Sequence, residues 1–279
     1  MADARGQDAV RRALDEDHAR ADITVGLLGA AAGRVVRGAF VAEAPCVVAG
    51  VAVAAEVFRQ LDPHVVWTTL LADGARAAPG DRIAQVEGPA GILLSAERTA
   101  LNFLQHLSGI ATATRRAVDA VAGTGAAITH TRKTAPGLRD LQVGAVVAGG
   151  GVPNRTSLAH AVYWKDNHWA LLGEDARLAE LLAQVPRGID MWVEVETDEQ
   201  FAEALAAGVR HMLADNQTPE RVAEWIQRSG GQVQVQASGG ITAETAGAYA
   251  RAGAHLISIG GLTHSVTAVP ITFALLTGS

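Results

Sequence analysis

The sequence predicts an α/β protein built on parallel βα units, and three observations carry that expectation. After Gly125, short β-type runs alternate with helical stretches at intervals of roughly 20–35 residues, the signature of strand–helix–strand units. Glycine is plentiful, at 30 of 279 residues, while aromatics make up only 4%, a composition suited to tight turns and alanine- and valine-rich packing. No apolar run reaches the roughly 18–20 residues that would span a bilayer. About six or seven such units imply a βα barrel with fewer strands than the usual eight, with an open doubly wound sheet as the alternative.

The elements follow in order. Ala9–Asp17 reads as a first helix, ending near the acidic cluster Asp15, Glu16 and Asp17. From Arg34 to Gly88 come the β-type runs VVRGAFVAEAPCVVAG, VVWTTLLADG and DRIAQVEG, divided by glycine and proline turns. AGILLSAERTALNFLQHLSGIATATRRAVDAVAG repeats Leu94, Leu101, Leu104 and Leu107 at helical spacing. It predicts one or two long helices with Ser95 as N-cap. Beyond it, AAITHT, the weaker AVVAGG, HAVYW, DMWVEVE, RHMLAD, VQVQAS and HLISIG read as strands. TDEQFAEALAAG, TPERVAEWIQRSG and TAETAGAYARAG read as helices between them.

Composition excludes several classes. The N-terminal stretch is polar and mixed in charge, unlike a signal peptide. A lone cysteine, Cys46, rules out an internal disulfide framework or a cysteine-built zinc site. Net charge is −6 with no basic block, which opposes nucleic acid and membrane surfaces as partners. A cytoplasmic enzyme is expected. There are also 21 arginines but only two lysines, Lys133 and Lys165. In so arginine-rich a chain, the two lysines mark places where a compact ammonium does what a planar guanidinium cannot.

The polar residues cluster at predicted strand ends. Arg132 and Lys133 follow AAITHT, Lys165 follows HAVYW, and Glu194 and Glu196 end DMWVEVE. Asp215 ends RHMLAD, Ser238 and Gly239 end VQVQAS, and Gly260 and Gly261 end HLISIG, with His264 close behind. All strand C-termini of a parallel barrel open on one face, so these residues converge there. The two Gly-Gly turns suit phosphate, whereas Gly149–Gly151 reads equally as a plain turn or a ligand contact. Arg132, Lys133, Arg139, Arg155 and Lys165 form a local positive patch fit for a small polyanion. Strand alternation puts Glu194 and Glu196 on one face, toward the interior or the helices. Carboxylates beside a phosphate site imply Mg²⁺. Neither a zinc-binding histidine spacing nor G-x-S-x-G occurs.

TRKTAPGLRDLQVGAVVAGGG, NRTSL, KDNH, VEVE, ADN, ASGGI and IGGLTHS together resemble the quinolinate phosphoribosyltransferase family, also called nicotinate-nucleotide pyrophosphorylase (carboxylating). DEDHARADIT and AERTALNFLQHLSGIAT extend the likeness over nearly the whole chain. The resemblance implies an N-terminal α/β sandwich over 1–110 and an incomplete parallel βα barrel over 111–265, with residues 266–279 packing back on the first. It implies transfer of phosphoribose from phosphoribosyl pyrophosphate (PRPP) to quinolinate, releasing pyrophosphate and CO₂, in NAD biosynthesis. By the same resemblance Arg132, Arg155 and Lys165 hold the acceptor acid, with His130 and Asn154 beside them. Arg98 joins them from the partner subunit of a homodimer or hexamer. Lys133, Glu194, Asp215, Ser238, Gly239, Gly260 and His264 bind PRPP, Glu194 and Asp215 hold Mg²⁺, and Lys133, Lys165, Glu194 and Asp215 carry catalysis. Surface arginines such as Arg177 are expected to be dispensable. The chain departs from the family pattern at His130 (usually Asp), Asn154 (usually His), Ala214 (usually Leu) and Gln236 (usually Glu). Two of these lie on the acceptor side, leaving open a paralogue for another heteroaromatic acid. A non-catalytic binding protein on the same fold is the remaining alternative.

Overall fold

The computed structural model describes residues 3–172 and 178–276, so Arg177 lies outside the described residues. In chain order the first elements are α1 (Ala4–Glu16), α2 (Ile23–Gly26), β1 (Val35–Ala42), β2 (Cys46–Val47), α3 (Val51–Leu61) and β3 (Val66–Thr69). Then come β4 (Arg76–Ala77), β5 (Arg82–Pro89), α4 (Ala90–Ala120), β6 (Ala127–Thr129), α5 (Arg139–Ala148) and β7 (Val162–Trp164). The rest are α6 (Asp166–Leu172), α7 (Leu178–Gln184), β8 (Met191–Val195), α8 (Asp198–Ala206), β9 (His211–Asp215) and α9 (Pro219–Arg228). β10 (Gln234–Ser238), α10 (Ala243–Arg251), β11 (Leu256–Ser258), α11 (Gly261–His264) and β12 (Ile271–Leu276) complete the chain. They form two compact units.

One unit takes the chain up to Arg115, then Thr134–Gly150 and the residues from Ser265 onward. Its antiparallel sheet has the order β12-β1-β5-β3. Phe40, Phe58, Trp67 and Phe273 meet on it with ring centroids 4.9–6.4 Å apart. Gly38 gives Phe273 its place, since a Cβ there would stand 2.1 Å from the ring. The valine-rich α3 falls between the β-type runs VVRGAFVAEAPCVVAG and VVWTTLLADG, in a segment to which the sequence assigns no element. It folds as a helix because the Asp73 carboxylate accepts the N–H groups of Gly50 and Val51, both at 3.0 Å, satisfying donors its own turns leave open. Two readings need correction. Ser95 is not an N-cap: α4 starts at Ala90, directly after Pro89, and the Ser95 hydroxyl donates to Asp22 Oδ2 at 3.0 Å. AVVAGG is not a strand but the end of α5, which buries Gln142, Ala145 and Val146 at helical spacing.

The other unit holds Arg116–Lys133 and Gly151–His264. Six parallel strands run in the order β6-β11-β10-β9-β8-β7. First and last strands of the unit pair through Ile128 and Ile257, as in a barrel. On the free edge of β6 a single bridge joins Thr129 to Val152. No described strand closes the ring between Val152 and β7, and residues 153–161 link those two edges. The result is an α/β fold with an incomplete barrel. Its strands alternate as a two-sided sheet requires. Val193, Met212, Ala214, Val235, Ala237 and Ile257 are buried on one face. Glu194, Leu213 and Gln236 lie level with one another on the other face. Threonines start three of the flanking helices: the side chains of Thr197 and Thr218 accept backbone N–H groups, and Thr242 forms a capping box with Thr245.

Candidate active site

The interior residues of neighbouring strands open at their C-terminal ends into one cleft of about 350 Å³. β7 leads to Tyr163 and Lys165, β9 to Leu213 and Asp215, β10 to Gln236 and Ser238, and β11 to Ser258. Thr131, Arg132 and Lys133 come from the loop after β6, and Asn154 and Arg155 from the link across the open edge. Seven residues expected at the site therefore line a single cavity: Arg132, Lys133, Asn154, Arg155, Lys165, Asp215 and Ser238.

The basic groups are held from behind. Lys165 Nζ bonds the carboxylate of Glu194, whose side chain is 4% exposed and also accepts the Asp166 backbone N–H at 3.3 Å. Trp169 Nε1 donates to the Glu194 carbonyl at 3.1 Å and fixes that strand end. Arg155 lies with its guanidinium carbon 3.8 Å from the Tyr163 ring centroid, while Nη1 donates to Ala161 O at 3.2 Å. Burial first, and the neighbouring Arg132 charge second, hold Arg155 below the usual arginine range. Two guanidinium groups thus face one small cavity, which suits a dianion.

The glycine turns pack against residues of the cleft. Gly239 has φ +92°, and a Cβ there would stand 2.2 Å from Asn216 Oδ1. The turn can therefore close only on glycine. Asn216 in turn donates from its backbone to Ser238 O at 3.0 Å and from Nδ2 to Asp215 Oδ2 at 2.7 Å, which orients the carboxylate. At Gly260 a Cβ would stand 2.9 Å from His264 Nε2 and 3.5 Å from Lys133 Cδ. Thr263 Oγ1 also donates to Lys133 O at 2.8 Å. Gly260, His264 and Lys133 are thereby packed together.

Carboxylate oxygens of Glu194, Glu196 and Asp215 lie within 4.8 Å of one another. Glu194 is buried on the face it shares with Leu213 and Gln236, whereas Glu196 is exposed just past the end of β8 and brings only its carboxylate to the group. An all-oxygen donor set of this size fits a hard divalent cation.

Two expected residues lie elsewhere. His130 is fully buried and does not line the cleft. Its Nε2 accepts the Asn154 backbone N–H at 3.0 Å, and Nδ1 lies 3.0 Å from Thr131 O, the geometry of a neutral ring with its proton on Nδ1. Arg98 belongs to the first unit, where it lines a separate cavity of about 740 Å³ with Arg12, Asn102, His106, Pro136 and Gly137. Sequence reasoning assigned no site role to Tyr163, Leu213, Gln236 or Ser258. The signal was present: each stands two residues before a singled-out position (Lys165, Asp215, Ser238, Gly260), hence on the same strand face.

Known proteins resemble the chain over both units. The family model described as quinolinate phosphoribosyl transferase, C-terminal domain, matches residues 110–274, and the corresponding N-terminal domain matches 22–108. The nicotinate-nucleotide pyrophosphorylase [carboxylating] of Mycobacterium leprae is 40% identical over 273 residues, covering 95% of each chain. A probable enzyme of the same name from Bacillus subtilis is 40% identical over 233 residues, covering 83% of this chain and 81% of its own. Among solved structures, the nicotinate-nucleotide pyrophosphorylase from Francisella tularensis superposes with a TM-score of 0.91 at 29% identity, over 99% of this chain and 98% of that one.

Proposed function

The chain belongs to the quinolinate phosphoribosyltransferase family, and from that premise we propose that it transfers phosphoribose from PRPP to quinolinate, forming nicotinate mononucleotide, pyrophosphate and CO₂ for NAD biosynthesis in the cytoplasm. One observation carries the reading. A single cleft is lined by the guanidiniums of Arg132 and Arg155 together with Lys133, Asp215 and Ser238. A dicarboxylate and a polyphosphate sugar need such neighbouring sites.

Arg132, Arg155 and Lys165 would hold the acceptor carboxylates, each charge-assisted bond contributing about 1.5–3 kcal/mol. Lys133, with the Ser238–Gly239 and Gly260–His264 turns, would hold the PRPP phosphates. The acceptor nitrogen then attacks C1 of the ribose as pyrophosphate departs. Glu194 and Asp215 would bind the ribose hydroxyls and stabilise the positive charge that develops on the sugar. The 2-carboxylate leaves afterwards as CO₂; the new pyridinium stabilises the electron pair left on C2, which then takes a proton from solvent. Glu194 and Asp215 would also hold Mg²⁺, with Glu196 in reach. When bound, the cation neutralises charge on the leaving pyrophosphate. In the same reading the protein is a homodimer or an assembly of dimers, with Arg98 supplied across the interface.

A second acceptor is favoured by a specific feature. Asn154, Tyr163, Gln236 and Ser258 join in one uncharged hydrogen-bonded network along the cleft, which suits an acid with a neutral polar substituent. Pyrophosphate release with PRPP, Mg²⁺ and a panel of pyridine acids tests both. Quinolinate should be turned over, with CO₂ released in equal amount. Turnover confined to another heteroaromatic acid would replace the first reading by the second.

A further inference from the structure

Tyr163 touches both residues that follow the open edge of the barrel. Its ring lies against the Arg155 guanidinium, 3.8 Å from centroid to Cζ. Its hydroxyl donates to Asn154 Oδ1 at 2.9 Å, and that same oxygen accepts the Arg155 backbone N–H at 2.7 Å. Asn154 Nδ2 reaches His130 O at 3.4 Å. The side-chain oxygen of Asn154 is thus spent on the protein, and one phenol grips the dipeptide twice, by ring and by hydroxyl. The tyrosine is itself held. Its ring lies 5.9 Å from Trp192 at an interplanar angle of 22°, and Trp192 lies 4.8 Å from His211 at 25°. Tyr163 and His211 are both register partners of Trp192, on the strands flanking β8. Burial raises the phenol above its usual range, so it keeps its proton and remains a donor at neutral pH.

The electrostatics explain why such a grip is useful. Arg155 shares its cavity with Arg132, whose charge opposes its own. Before an acid arrives, the two guanidinium groups repel one another. The negative face of an aromatic ring offsets part of that repulsion and costs no net charge, so the acceptor is not screened from the arginines. A carboxylate placed there instead would compete with the substrate for the same N–H groups.

We propose that Tyr163 is the positioning residue of the acceptor end: through its ring and hydroxyl it fixes Arg155 and Asn154 in the arrangement that receives the acid carboxylate. The inference rests on the acceptor assignment above. Aromatic and hydrogen-bonded support of this kind acts on affinity by pre-organisation, not on the bond-breaking step.

The test is steady-state kinetics of the full-length protein, varying each substrate with the other saturating. Tyr163→Leu should raise KM for quinolinate about tenfold and Tyr163→Phe about threefold, since phenylalanine retains the ring contact. The kcat should stay within about twofold and KM for PRPP should not move. In an Asn154→Ala background the added Tyr163→Phe change should have a smaller effect than in wild type, because the hydroxyl then keeps only its long 3.5 Å contact with Gln236 Oε1. An unchanged quinolinate KM in Tyr163→Leu, with wild-type protein active, overturns this inference alone. So does a joint rise in both KM values with a fall in kcat, which marks a merely structural residue. Wild-type protein inert toward quinolinate overturns the acceptor assignment, and this inference with it.

Discussion

Lys165 is the residue at which charge alone does not describe the requirement. Its ammonium meets the carboxylate of Glu194, which is buried, while Lys165 itself is 38% exposed at the cleft. The group therefore neutralises a buried carboxylate with one face and offers N–H donors to a substrate with the other. A guanidinium presents its donors in a rigid plane and cannot divide them in this way. Lys165→Arg should keep the net charge and still lose about two orders of magnitude in kcat/KM, the range expected when a positioned group is displaced by an ångström. Lys133→Ala should abolish turnover at any PRPP concentration, and full activity in that variant would overturn its assignment to PRPP. Both lysines were legible in the sequence, because two lysines among 21 arginines stand out. Tyr163 carries a signal too, two residues before Lys165, but an aromatic residue in a β run reads first as core. His130 shows the converse difficulty. β6 ends at Thr129, so strand alternation no longer says which way the next side chain points, and the ring turns to bond the Asn154 backbone.

Between residues and the whole molecule, Asp198 does at the barrel surface what hydrophobic packing does inside. From the first turn of α8 it accepts Trp225 Nε1 of α9 at 2.7 Å and Arg228 Nη1 at 2.8 Å, and it also pairs with Arg221. Trp225 in turn stacks on Phe201 of α8, centroids 5.2 Å apart and planes 5° from parallel. The indole and guanidinium bonds hold the Asp198 carboxyl at about 2, below its ordinary 3.8. A depressed folded-state value means that the bonds contribute in full above about pH 4, the unfolded range, and are lost as pH falls toward 2. Asp198→Asn should therefore melt below the wild type at pH 7. The difference should shrink between about pH 4 and pH 2, and 1 M salt should reduce it at pH 7, as for any exposed ion pair. Thermal unfolding followed across that pH range checks the direction; a gap that persists at pH 2 would assign the loss to packing instead. The segments misread or left unassigned from sequence fail at this scale too. Valine-rich runs of a few residues fit a buried strand and a buried helix equally well. α3 became a helix through Asp73, some twenty residues downstream, and α5 through burial of Gln142, Ala145 and Val146. The β-like position expected of AVVAGG passed instead to the single bridge at Val152.

At the scale of the whole molecule, repetition made the barrel legible, since each βα unit announces the next. How many copies complete a site is not written in any one unit. Arg98 poses that question directly. It carries the acceptor role implied by the family resemblance, yet it sits in the antiparallel unit, in a cavity with Arg12, Asn102 and His106. The cleft bearing Lys133 and Arg155 is lined wholly by the barrel unit. If Arg98 serves the cleft of a partner subunit, two inactive variants should repair each other. Arg98→Ala keeps a sound Lys133 but gives its partner no arginine; Lys133→Ala keeps a sound Arg98 but has no working cleft of its own. Mixed in equal amounts and allowed to exchange subunits, half the two-fold dimers are hybrids. Each hybrid has one cleft with both groups and one with neither, so about a quarter of wild-type activity should return. Activity should rise from near zero over the time of exchange and reach that plateau whichever variant is added first. Arg98 acting within its own chain predicts no recovery at all, because no subunit in the mixture then carries both residues. A hexamer of exchanging dimers gives the same quarter, so the experiment reads the sharing of the site and not the size of the assembly.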